Sequence, residues 1–106
     1  MDWEKQIVER YGEEYIFRQL AEEAAELCQA SLKKVRAMRH ETPVSEKDAK
    51  AHVLEEIADV EVMLVVLRTA VLNDEDAEKI ISIYREKRDR MIDRMLEGEC
   101  LDSDGR

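Results

Sequence analysis

Apolar residues recur along this chain at the three- and four-residue intervals of amphipathic helices, and the breaks between them fall at recognisable stop signals. From Asp2 to Tyr11, Trp3, Ile7, Val8 and Tyr11 stand at helical spacing and the run ends at Gly12, which predicts a short leading helix. A longer helix is expected from Glu13 to about Arg39, with Ile16, Leu20, Ala24, Leu27, Ser31 and Val35 on one stripe. Lys and Arg gather toward its C-terminal end, where they complement the helix dipole. His40 to Val44 holds Pro43, the single proline, which lacks a backbone donor and biases Thr42 away from helix, so this is the main inter-helix loop.

Ser45 followed three residues on by Asp48 resembles a capping box with the shorter acid, and a third helix is expected from there to about Leu72. Between Val60 and Leu72 only Glu61, Arg68 and Thr69 are not apolar, so this half must be covered on several sides, as a central helix or a subunit interface. Asn73 or Asp74 should cap a fourth helix that runs to about Glu97 and stops at Gly98, leaving Glu99 to Arg106 as a polar tail.

Composition narrows the class. With 106 residues, three Gly, one Pro and 41% charged side chains, the chain is expected to be all-α. The expected organisation is one domain over residues 1–98, four-helix-bundle-like and completed by oligomerisation, followed by the tail 99–106. The net charge of -9 argues against a polymeric nucleic-acid partner. A small triphosphate stays compatible with it, because a divalent cation held by carboxylates reverses the local field. Neither a signal peptide nor a bilayer-spanning stretch is visible, and Cys28 and Cys100 lack metal-site or disulfide spacing, so free thiols in a reducing cytoplasm are expected.

The candidate chemistry lies in two acidic runs, Glu22-Glu23-Ala24-Ala25-Glu26 and Glu55-Glu56-Ile57-Ala58-Asp59. Glu23 with Glu26, and Glu56 with Asp59, are each three residues apart and share a side of their helix. Two such pairs facing each other would offer four hard oxygen donors suited to magnesium or manganese. Spacing alone says little in a chain with 26 acids. Context says more: Ala21 to Leu32 and Ala51 to Leu67 contain no Lys or Arg, and Glu23 and Glu56 border apolar stripes on the helical wheel. Half-buried acids of this kind need protonation, a cation from another helix or a metal, and a solvated acidic face is the competing reading.

The fourth helix carries a complementary cation. Lys87 falls inside the stripe formed by Ala77, Ile80, Tyr84, Met91 and Met95, where it would meet either an acid of the cluster or a phosphate. Arg88, Arg90 and Arg94 have Glu86, Asp89 and Asp93 as neighbours and are read as surface residues. No glycine-rich phosphate loop and no Glu-x-x-His pair occurs, and His40 and His52 are both expected to be exposed.

The run Leu20 to Leu27, the loop with Pro43, and the run Leu54 to Val60 resemble the MazG-like branch of the all-α NTP pyrophosphatases, whose signature is EExxE, a spacer, then ExxD. That resemblance implies magnesium ligation by Glu23, Glu26, Glu56 and Asp59, and hydrolysis of a nucleoside or deoxynucleoside triphosphate between its α and β phosphates. It also implies a homodimer or homotetramer and a phosphate contact from Lys87. Met63 stands where some relatives place a tyrosine. Glu22 or Glu55, beside the ligands, would orient or deprotonate the attacking water. Two readings without turnover stand beside it: a helical interaction protein and a nucleotide-binding module.

Overall fold

The computed structural model describes residues 1–98; the polar tail and Cys100 lie outside them. Helix α1 spans Trp3–Tyr11, α2 Glu13–Met38, α3 Glu46–Val66 and α4 Asp74–Leu96, with a π-helical turn over Leu67–Val71 between the last two. Among the described residues there is no strand, and the chain is all-α as its pattern predicts. No described helix is long and apolar enough to cross a membrane. Among the described residues the helices fall into two compact units, 1–71 and 72–98.

In the first unit Gly12 separates α1 from α2. Its φ of 90° and ψ of 159° lie in a region open essentially to glycine alone, and its N–H donates to Val8 O at 2.8 Å, closing α1 while α2 starts on its far side. The far end of α2 closes differently. Glu41 N–H donates to Arg36 O at 2.9 Å and His40 N–H to Ala37 O at 3.1 Å, the paired bonds of a Schellman motif. His40 occupies the left-handed position of that motif, with φ 58°, where glycine or asparagine is usual. At the start of α3, Ser45 Oγ accepts from Asp48 N–H at 3.1 Å. The reciprocal half of the expected capping box is not formed there. It is formed at α4, where Asn73 and Asp76 satisfy each other's backbone N–H.

Helices α2 and α3 make the main interface, antiparallel across the short loop that joins them. The seam departs from the expected stripe. One line of covered positions runs through Ile16, Leu20, Glu23, Leu27, Ala30, Lys34 and Ala37 on α2, and another through Ala49, Val53, Glu56, Val60 and Met63 on α3 to Leu67 in the π turn, with Gln19, Lys33, His52, Leu64 and Val66 covered beside them. Both lines alternate steps of four and three residues, the 3.5-residue repeat of helices that stay in contact over many turns. Ala24, Ser31 and Val35, expected on the buried stripe, are exposed instead. Ile16, Met63, Val66 and Leu67 form the core at one end, flanked by Ile7 and Val8 of α1, Leu20 and Val71. Near the connecting loop the fully covered positions are alanines, Ala30, Ala37 and Ala49, and the Lys34 ammonium reaches Glu46 at 3.6 Å.

The third helix does not run unbroken to Leu72; its last five residues widen into the π turn, which packs on α1 and brings Val71 to the core. The other side of α3 stays uncovered: Leu54, Ile57, Val62 and Val65 are exposed. In the second unit, α4 has no buried residue. Arg88 pairs with Asp89 at 3.1 Å and Arg90 with Glu86 at 3.2 Å, the surface pairing that the sequence suggests.

Two substitutions test the junctions of the first unit. An added Cβ at Gly12 meets no atom within 4 Å, so Gly12→Ala should cost about 1–3 kcal/mol through backbone strain alone. His40→Gly relieves a left-handed side-chain position and should add up to about 1 kcal/mol. Urea titration checks both; a Gly12→Ala chain as stable as the parent would mean that the α1–α2 junction does not depend on this backbone geometry.

Candidate metal centre

The seam spacing that covers Ile16 and Met63 also covers two acids. Glu23 sits two turns along α2 from Ile16, and Glu56 sits two turns along α3 from Met63, so the antiparallel pairing brings them to the same level. Asp59 lies one turn from Glu56 on the same helix. Carboxylate oxygens of Glu23, Glu56 and Asp59 all lie within 4.8 Å of one another.

The three differ in exposure. Asp59 is exposed, Glu23 half-buried, and Glu56 only 7% exposed. One oxygen of Glu56, Oε2, stands 3.1 Å from His52 Nε2. The other, Oε1, is buried with no hydrogen-bond partner. An orphaned buried carboxylate oxygen is an expensive feature, and buried polar groups are nearly always satisfied. Burial also raises the pKa of Glu23 above its ordinary 4.5, and the charges of Glu26, Asp59 and Glu56 raise it further.

These residues fit a hard divalent cation. All three donors are oxygens, Oε1 of Glu56 lacks a partner inside the cluster, and no Lys or Arg forms an ion pair with any of the three among the described residues. Magnesium in particular is commonly held by one or two carboxylates and keeps its other positions for water and substrate phosphate.

Not every expected residue joins the cluster. Glu26 is exposed and stands outside the three-acid group, although its charge still acts on Glu23. Its position explains this: the seam steps from Glu23 to Leu27, and Glu26 falls beside it. Glu22 and Glu55 are exposed on α2 and α3, next to the cluster in sequence but not among its converging oxygens. Lys87 lies on α4 in the second unit. It is exposed, beside Tyr84, Arg88 and Met91, and the stripe assigned to it is covered only at Ala77 and Ile80, since Tyr84, Met91 and Met95 are exposed. His52 is the residue that the pattern missed. Expected to be exposed, it is half-buried against Glu56, and the signal was its i,i+4 spacing from that acid.

No protein-family model, curated protein or solved structure matched the chain.

Glu23→Gln separates a metal site from a mere acidic face. A carboxyl whose folded pKa is raised contributes stability that is fully present below its ordinary pKa and is lost as pH rises through the folded value. At pH 7 the ionised Glu23 is therefore a burden on the metal-free protein. The amide should raise its melting temperature at pH 7 and leave it nearly unchanged at pH 4. The same variant should lose most of the melting-temperature rise that millimolar magnesium gives the parent, since a ligand stabilises by RT ln(1 + [L]/Kd). A magnesium-induced rise of equal size in parent and variant would remove Glu23 from the ligand set.

Proposed function

We propose that this chain is a magnesium-dependent nucleoside triphosphate pyrophosphohydrolase of the MazG-like kind. The observation that carries the reading is the buried, unpartnered Oε1 of Glu56 within a cluster completed by Glu23 and Asp59. The order of the acids along the chain, EExxE then ExxD, supports the same reading through its resemblance to the MazG-like signature, and that resemblance implies cleavage between the α and β phosphates.

In this reading Glu23, Glu56 and Asp59 hold the ion, with Glu26 at the edge of the site. A bound divalent cation neutralises phosphate charge and lowers the pKa of a coordinated water. The chain supplies the rest. Two facing helices fix the carboxylates at one level of the seam, and the close contact with His52 restrains Glu56. Glu22 and Glu55, exposed beside the cluster, are the acids free to accept the proton of the attacking water. The resemblance alone assigns Lys87, on α4 in the second unit, to substrate phosphate. The exposed apolar residues Leu54, Ile57, Val62 and Val65 on α3 support assembly with further copies of the chain. They equally favour the second reading, a helical interaction protein without turnover.

A panel of NTPs and dNTPs incubated with magnesium, scored for pyrophosphate against orthophosphate, tests the proposal. The expected products are a monophosphate and pyrophosphate from at least one nucleotide, with none formed in excess chelator. Glu56→Gln should lower that activity by about 100-fold or more while the helical circular-dichroism signal persists. Diphosphate accumulation would place the cleavage elsewhere. Absence of any pyrophosphate, with no magnesium effect on melting, would leave the interaction protein.

Lys87→Met supplies a separate check. It removes one charge-assisted phosphate contact and should reduce kcat/KM by the equivalent of about 1.5–3 kcal/mol. Because Lys87 is exposed, the melting temperature should hold. Unchanged kcat/KM would take Lys87 out of the site.

A further inference from the structure

Along the α2–α3 groove, on the loop side of the acid cluster, the sign of the charge reverses. Gln29, Leu32, Lys33 and Arg36 of α2 and His52 of α3 line a cavity of about 260 Å³. Gln29, Lys33 and Arg36 follow one another at steps of four and three, so their side chains rise from one side of α2. They offer a carboxamide, an ammonium and a guanidinium, all hydrogen-bond donors.

Neither Lys33 nor Arg36 forms an ion pair among the described residues, which leaves both free to meet an anion. What sets them apart from the other unpaired cations of the chain is that their cavity adjoins the candidate metal centre through a shared residue. His52 lines it, and His52 Nε2 lies 3.1 Å from Glu56 Oε2. Four residues, about 6 Å of helical rise, separate His52 from Glu56 along α3. A volume below the roughly 300–1,000 Å³ of sites that enclose a whole ligand suits one end of a substrate rather than a complete nucleotide.

We propose that this cavity is an anion subsite that receives the terminal phosphates of the triphosphate and retains pyrophosphate after cleavage, with Lys33 and Arg36 as its charged contacts. The assignment rests on the hydrolase reading above and adds a direction to it. The triphosphate tail lies toward the α2–α3 loop. Arg36 supplies a planar fork that pairs two phosphate oxygens at once, and Lys33 a mobile point charge beside it.

The test titrates inorganic pyrophosphate, and orthophosphate in parallel, into the full chain in excess chelator, followed by calorimetry or amide chemical shifts. Pyrophosphate should bind the parent more tightly than orthophosphate does. Lys33→Met and Arg36→Met should each raise its Kd about tenfold or more, while Lys33→Arg restores most of the affinity. In steady-state hydrolysis the same variants should raise KM for the triphosphate and inhibition by added pyrophosphate should weaken. Failure to bind millimolar pyrophosphate, or equal affinity in all variants, would overturn the subsite. Hydrolysis with KM unchanged in both Met variants would overturn it while leaving the hydrolase reading intact. Pyrophosphate bound through Lys33 and Arg36 by a chain that hydrolyses no nucleotide would do the reverse, removing the enzyme and leaving an anion site.

Discussion

A buried carboxylate oxygen without a partner is tolerated only where something else compensates it, and the packing of α2 on α3 puts Glu56 in that situation. The same 3.5-residue repeat that buries Ile16, Met63 and Leu67 carries Glu23 and Glu56 into the middle of the interface. At this register the packing of the two helices brings the acids together. Stability and site geometry are therefore one problem in this unit. The repulsion that raises the pKa of Glu23 is set against the burial of the residues at the core end of the seam.

Charge is distributed along this groove in an order that the fold imposes. From the core end toward the loop come apolar residues, then the three acids, then His52, then Lys33 with the Lys34–Glu46 pair at the next residue, and last Arg36. A polyanion that carries its own cation matches such a sequence better than a neutral ligand does, because each of its parts meets the opposite sign. His52 stands at the boundary, with one ring nitrogen against an acid and its ring facing a basic cavity.

Much of this was legible in the residues. Gly12, Pro43 and Asn73 mark the helix boundaries through backbone constraints that are local and therefore readable. Glu23, Glu56 and Asp59 stand out because no Lys or Arg shares their stretch of helix. The buried stripe of α2 was harder to trace, since Glu23 and Lys34 occupy seam positions and a count of apolar residues steps past them to Ala24, Ser31 and Val35. Glu26 was expected among the ligands because three-residue spacing puts it on the same side of α2 as Glu23, but the contact line steps four residues from Glu23 to Leu27 and leaves Glu26 beside it. The π turn has no local signature. Its Leu67 and Val71 share the core with Ile7 and Val8, more than fifty residues away in sequence.

The alanines near the loop have an effect at a distance. Helix separation follows the size of the side chains between the axes, so Ala30, Ala37 and Ala49 draw α2 and α3 together at the loop end, while Ile16, Met63 and Leu67 hold them apart at the other. Side-chain size thus favours a hairpin that narrows toward the loop, with the acids part-way along it. Enlarging one alanine would pivot the pair about its apolar end and widen the gap between Glu23 and Glu56 without touching either. The spacing of the carboxylates is thus set from the narrow end, by the smallest side chains in the interface.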